Sequence, residues 1–299
     1  MQIIVLGSAA GGGFPQWNCL CPVCQLAWKG DKRVKPRTQS SLAVSAGGEH
    51  WLLLNASPDL RQQIIATPQL HPRGAKRQSP ISAVFVTNGD VDHLTGLLTL
   101  REQQSFTVYG SKTTLGEVTG GNIFGVLNRE LVKFNEVDLN ETIDTGFGLR
   151  IIPFAVPGKV PLYLEGGSVE IGAEGETTIG LEITGGGKTF YYIPGCAEVN
   201  AKLQDRLRNA DLLLYDGTTF TDDEMVKLGL SQKTAWRMGH TAMTGEKGSL
   251  ARLSDLNIHR KIFVHINNTN PVLIEDSPER SKAEAAGWEI SYDGMEIAL

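Results

Sequence analysis

The sequence predicts an α/β protein in which helices pack outside two β-sheets. Two observations carry this. Strand-length runs rich in β-branched and aromatic residues alternate with amphipathic helical stretches in both halves of the chain. No linker, low-complexity tract or short-period repeat divides the 299 residues, so a single domain over 1–299 is expected. Apolar and charged fractions of 41% and 20% are those of an ordinary globular protein. A net charge of −5 with no basic run argues against nucleic-acid or membrane-surface partners. The longest apolar stretches, such as LLLNA and LLLY, are strand-length, and none would span a bilayer.

The first strand, Ile3 to Leu6, runs into the loop GSAAGGG. A dinucleotide fingerprint is rejected there, because Ala9 holds the second glycine position and cysteines and prolines follow where a helix should start. The N-terminus has no charged leader, and its apolar run of about five residues is too short for a secretory signal. A cytoplasmic protein is expected. Next comes N-C-L-C-P-V-C-Q, with Cys19, Cys21 and Cys24 too crowded for a disulfide framework. Three thiolates within this loop, around 19–24, can close on one tetrahedral ion. Structural zinc is the first choice and needs a fourth ligand from elsewhere. The alternative is a redox pair in CPVC, but such a pair opens a helix after a central strand.

SSLAVSA and HWLLLNA form a hairpin about Gly47 and Gly48, and Ser57-Pro58 reads as the start of a helix. Residues 68–80 form a polar loop in which His71 is a surface residue without partners. The stretch VFVTNGDVDHLTG follows: a buried strand, a polar turn with Asp90, Asp92 and His93, then apolar residues at 94, 97 and 98 on a helical face. Three ligand-type side chains at the mouth of a sheet read as a metal site, and the competing reading is a solvated acidic turn with a capping histidine. Phe106 to Tyr109 is a strand, Ser111 caps a short helix, and Gly120, Gly121 and Gly125 mark a mobile stretch.

Residues 131–193 read as strands with glycine turns. TGGGKTF imitates a phosphate loop, but Glu182 stands at the first glycine position and a strand follows, so it is a hairpin turn. Gly195-Cys196 ends one strand, and Val199, Leu203 and Leu207 mark the helix after it. ADLLLYDGTTF delivers Asp216 at a strand end, and His240 falls just before a helix in MGHTAMTGEKGSLARL. KIFVHINNTNP is a strand ending in His265. Ser277-Pro278 caps a last helix, and WEISYDGMEIAL reads as a closing hairpin. His50 and His259 flank strands and read as structural or exposed.

TNGDVDHLTG lines up with the T-H-x-H-x-D-H-x-x-G signature of the metallo-β-lactamase superfamily. Together with the cysteine array and the HINNTNP tail, the chain resembles the coenzyme PQQ (pyrroloquinoline quinone) synthesis protein B family within it. The resemblance implies a four-layer αββα sandwich. In hydrolases of this fold two zinc ions share the mouth of the sandwich. Here Asn88 and Asp90 replace the first two histidines, Pro157 lies near the place of the third, and Cys196 stands where a bridging aspartate would lie. The resemblance therefore implies that one site is dismantled and that Asp92, His93 and His265 keep the other, with Asp90 as a further oxygen ligand or a neighbour of the ligands. Two histidines and one carboxylate make the non-haem iron(II) pattern for O₂ chemistry, and losing the second metal removes the clamp that favours hydrolysis.

The activity implied is iron- and O₂-dependent hydroxylation of the tyrosine ring in a glutamate–tyrosine unit derived from the precursor peptide. The partners implied are that precursor, O₂ and PQQ itself, with a homo-oligomer left open. Asp216 and His240 match a carboxylate–histidine dyad of the RNase-Z-like branch, a proton donor or substrate clamp. The cysteine array also resembles that of phosphodiesterases of this fold that carry a structural zinc; their fourth ligand, a histidine three residues after the late metal histidine, maps to Asn268, with a nearby backbone group or water as the alternative. Two other function classes are carried alongside: a carrier for PQQ or its precursor, and a metal-dependent hydrolase.

Overall fold

The computed structural model describes residues 1–166 and 169–299. Among the described residues the chain builds two seven-stranded mixed sheets. The first contains β1 (Gln2–Gly7), β2 (Ser41–Ser45), β3 (Trp51–Leu54), β4 (Ile81–Phe85), β5 (Phe106–Gly110) and β6 (Val132–Glu136). The second contains β7 (Ile143–Asp144), β8 (Arg150–Ala155), β9 (Ile179–Gly185), β10 (Lys188–Ile193), β11 (Leu212–Asp216), β12 (Lys261–Val264) and β13 (Trp288–Ile290). The last strand, β14 (Glu296–Ala298), returns to the first sheet beside β1.

Strand periodicity explains the layers. Along β1, Ile3 and Val5 face the other sheet with Leu52, Leu181, Phe190 and Leu214, whereas Ile4 and Leu6 face outward with Leu60, Leu97 and Leu115. On the second sheet, Leu213, Tyr215 and Phe263 point outward against Leu203, Leu207 and Ala283. Both faces of each sheet are thus covered, which is why the central strands read as continuous apolar runs. This is the metallo-β-lactamase αββα arrangement. The hairpins β2–β3 and β9–β10 form as the sequence indicates, and Ser111 and Ser277 accept the N-cap hydrogen bonds of Lys112–Gly120 and Pro278–Ala285.

Several local expectations are corrected. WEISYDGMEIAL is no hairpin: β13 pairs in parallel with β12 in one sheet and β14 with β1 in the other. The turn between them is pulled across the sandwich because the Asp293 carboxylate accepts from Ser8 and Thr38. Ser57 does not cap a helix. Its hydroxyl donates to Gln63, and the helix begins at Leu60. The residues after His93 form a 3-10 helix, Thr95–Leu100, beyond a single α-turn, Val91–Leu94. Gly96 explains the tight course, since a Cβ there would overlap the backbone of Ala56 and Ser57. His240 does not precede a helix directly. It follows Ala235–Met238, whose left-handed Gly239 cap turns the chain back, and the next helix starts at Ser249. Gly120, Gly121 and Gly125 lie at the end of Lys112–Gly120, at its C-cap and in a 3-10 helix. His71 does have a partner, the Ile65 carbonyl at 3.0 Å. CPVC does open a helix, Pro22–Trp28, but well after an edge-proximal strand rather than from a central βαβ unit.

Candidate metal centre

Parallel pairing aligns the C-terminal ends of β4 and of β11 and β12 at one mouth of the sandwich. Asp92 and His93 lie on the short α-turn after β4, Asp216 ends β11, and His265 follows β12. Loop residue Ala9 bridges to Ile266, and a Cβ on Gly11 would stand 3.4 Å from the Asp92 carboxylate, so the glycine loop closes over this mouth. His265 has φ of 55°, a left-handed conformation that costs energy for a residue with a Cβ and that gathers at functional sites.

Donor atoms of Asp92, His93 and His265 lie within 4.8 Å of one another. Asp92 Oδ2 is 3.2 Å from His265 Nε2 and 3.7 Å from His93 Nε2. Donors bound at about 2.1 Å around one ion sit roughly 3–3.5 Å apart, so the spacing fits an ion. His93 supplies the independent sign. Its ring is buried, yet neither nitrogen has a hydrogen-bond partner among the described residues, a costly state in a protein unless a ligand satisfies it. Burial also pushes His93 down to about 4, so the ring is neutral and offers a lone pair. Burial opposes ionisation of Asp92 too, but the His93 and His265 rings beside it hold the carboxyl below its usual range. For His265 burial is likewise outweighed, and Asp92 raises it. Asp90 faces the same space and is pushed up by burial and by the Asp92 charge. Its backbone N–H donates to Asn88 Oδ1, and its carboxyl does not join the three-donor group.

Behind the centre, Asp216 Oδ2 accepts from His240 Nδ1 at 2.7 Å and from the Cys196 N–H at 3.2 Å. Desolvation opposes ionisation of the buried Asp216 carboxyl, but the His240 ring, helped by His265 and the Thr218 hydroxyl, holds it low. The His240 and His265 rings stack 5.2 Å apart. The expected dyad is therefore assembled, and it stands against a metal-ligand candidate. Sequence reading missed Thr218, whose Oγ1 contacts Asp216, His240 and His265. Its only signal was a hydroxyl two residues past a strand end. Cys196 is turned away, its thiol donating to the Glu198 carbonyl. A cavity of about 670 Å³, lined by Trp236, Thr234 and His240 among others, opens beside the dyad.

A separate cluster is the cysteine knuckle. Cys19, Cys21 and Cys24 converge within 4.8 Å and are buried. Cys24 at the helix start is lowered to about 6 by the Cys21 hydrogen bond, while that same contact and burial raise Cys21. Asn268 covers the open side of the three sulfurs, with its amide nitrogen 3.2 Å from Cys19 Sγ and 3.3 Å from Cys24 Sγ. As placed, this nitrogen donates to sulfur and cannot ligate. Rotating the amide end for end puts the oxygen in the same position. The Asn268 carbonyl also approaches, 3.7 Å from Cys21 Sγ.

This fold and mouth define a metallo-β-lactamase-superfamily protein, and the model of the "Beta-lactamase superfamily domain" matches residues 50–266. The "Coenzyme PQQ synthesis protein B" of Methylorubrum extorquens (strain PA1) is 58% identical over 299 residues, covering all of both chains. The chain belongs to the coenzyme PQQ synthesis protein B family. The crystal structure of Zn(2+)-bound PqqB from Methylobacterium extorquens is similar at a TM-score of 0.98 and 58% identity over the full length of both chains. A diphosphatase of the PhnP family shares the fold at a TM-score of 0.68 and 21% identity, covering 99% of this chain and 96% of its own. No helix among the described residues is long and apolar enough to cross a membrane.

Proposed function

We propose that the protein acts in PQQ synthesis as an iron(II)- and O₂-dependent hydroxylase of the tyrosine ring in a glutamate–tyrosine unit from the precursor peptide. In this reading it works as one cytoplasmic domain. Family membership supports the role in PQQ synthesis. The single observation that carries the chemistry is the three-donor group of Asp92, His93 and His265, with Asn88 and Cys196 engaged elsewhere. Those three residues would hold the iron, and Asp90 would stand beside it. Bound iron would supply O₂ chemistry, for which two imidazoles and one carboxylate leave coordination positions open. The chain's own residues supply the rest. Asp216 holds His240 at the border of the cavity, where the imidazole can orient a phenol or exchange a proton with it. Cys19, Cys21 and Cys24 would hold zinc, capped by Asn268.

Membership of the beta-lactamase superfamily supports a second reading, a metal-dependent hydrolase. One experiment separates the readings. Protein purified anaerobically is loaded with Fe(II), given a glutamyl-tyrosine substrate, and followed for O₂ uptake and catechol formation. Turnover with iron and none with zinc is the expected result. Phosphoester cleavage with zinc alone would install the hydrolase, and tight PQQ binding without turnover would install a carrier.

A further inference from the structure

We propose that Thr218 is a positioning residue that places a proton on Nδ1 of both His240 and His265, so that His265 turns Nε2 toward Asp92 as a metal donor. The argument is proton accounting around one oxygen. A threonine hydroxyl has one hydrogen to give and two lone pairs. Thr218 Oγ1 has four neighbours: Asp216 Oδ1 at 2.7 Å, His265 Nδ1 at 2.9 Å, His240 Nδ1 at 3.1 Å and the His265 carbonyl at 3.1 Å. Asp216 Oδ1 already accepts the Thr218 N–H, and its contact with the hydroxyl is the shortest, so the single hydrogen goes there. The two lone pairs then face the two imidazoles, and each Nδ1 must carry a hydrogen. His240 shares its Nδ1–H with Asp216 Oδ2, and His265 gives its own to Thr218. Nε2 of His265, 3.2 Å from Asp92 Oδ2, is left to an ion. Thr218 and Asp216 are 4% and 0% exposed, so solvent does not replace either contact. A ligand histidine is commonly set in this way by a partner on its other nitrogen. Here one hydroxyl would set two rings and join the dyad to the metal donor.

The inference rests on the metal-centre reading and on neither the identity of the metal nor the reaction. The test uses Co(II) and the full-length chain, comparing Thr218→Val, which keeps the shape without the hydroxyl, with Thr218→Ser, which restores it. Visible d–d bands report the centre, and sulfur charge-transfer bands report the cysteine knuckle as an internal control for the fold. Thr218→Val should weaken Co(II) at the centre about 10–100-fold, and Thr218→Ser should bind as the unmodified protein does. Unchanged affinity in Thr218→Val, or a serine variant as weak as the valine one, overturns the proposal. A second measurement needs no variant. In ¹⁵N-histidine spectra of the zinc-loaded protein, His240 and His265 should both show Nδ1–H, and a lone-pair Nδ1 on either overturns it. An unmodified protein with no Co(II) band at the centre would instead remove the metal-centre reading, and this inference with it.

Discussion

The cysteine knuckle and the histidine centre each gather three metal-type donors, but the chain builds them in opposite ways. The knuckle is local: its sulfurs come from residues 19 to 24, and Asn268 covers the side they leave open. The centre is assembled across the sandwich, from the turn after β4 and the end of β12, 173 residues apart at the Asp92–His265 contact. The glycine loop closes over it, and the cavity borders His240, whose ring stacks on His265. A closed donor set suits an ion that holds structure, and a three-donor set with room beside it suits an ion that meets substrate. The two also share a segment. His265 serves the centre and Asn268, three residues on, serves the knuckle, so whatever orders this loop orders both.

The sharpest way to break the comparison is His265→Ala. It should abolish metal at the centre and leave the knuckle's ion, read as loss of one equivalent by elemental analysis. Full retention would show that the centre is built from other donors. Cys24→Ala should do the reverse, removing the knuckle's ion. Loss of a structural metal is among the large destabilising effects, on the order of 4 kcal/mol, which lowers the melting temperature by roughly 10 °C in a domain of this size. Centre affinity should fall less, since β12 still holds His265 in place. A melting temperature equal to that of the unmodified chain would mean the knuckle carries no structural ion.

The smallest expected effect is on pH. Burial alone would lower His265, but the Asp92 carboxylate raises it above its ordinary value. An ion binding at Nε2 must therefore displace a proton below that raised value. Centre affinity should weaken as pH falls below the raised value, by about tenfold per unit for one proton displaced. Flat affinity from pH 8 down to pH 5 would contradict the assignment of His265 as a protonated partner of Asp92.

Much of the centre was legible in the chain. His265 directly follows an apolar strand run, and Asp92 and His93 lie on the turn after another, where a sheet leaves charged groups at its mouth. That the three belong to one site was implied only by the family resemblance. The dyad of Asp216 and His240 was legible only through family resemblance, because nothing local ties a strand end to a residue 24 positions later. Thr218 was not legible at all. A threonine after a strand is commonplace, and its role exists only where the ends of β11 and β12 meet the loop carrying His240. The closing segment misled for a related reason. WEIS and MEIAL each have strand character about an Asp-Gly turn, but they pair with β12 and β1 in different sheets, and Asp293 finds its hydrogen-bond donors at Ser8 and Thr38.

What the sequence determined by itself is everything set by short-range periodicity and side-chain chemistry. That includes two-faced apolar strands that must be covered on both sides, capped helices, and thiols crowded enough to share one ion. Tertiary structure alone decided which polar atoms are left unpartnered and which are shared. Burial leaves both nitrogens of His93 without a hydrogen bond, and packing brings a single Thr218 hydroxyl against a carboxylate and two imidazoles. Hydrogen-bond satisfaction in a desolvated space is a property of the assembled neighbourhood, and no stretch of sequence carries it alone.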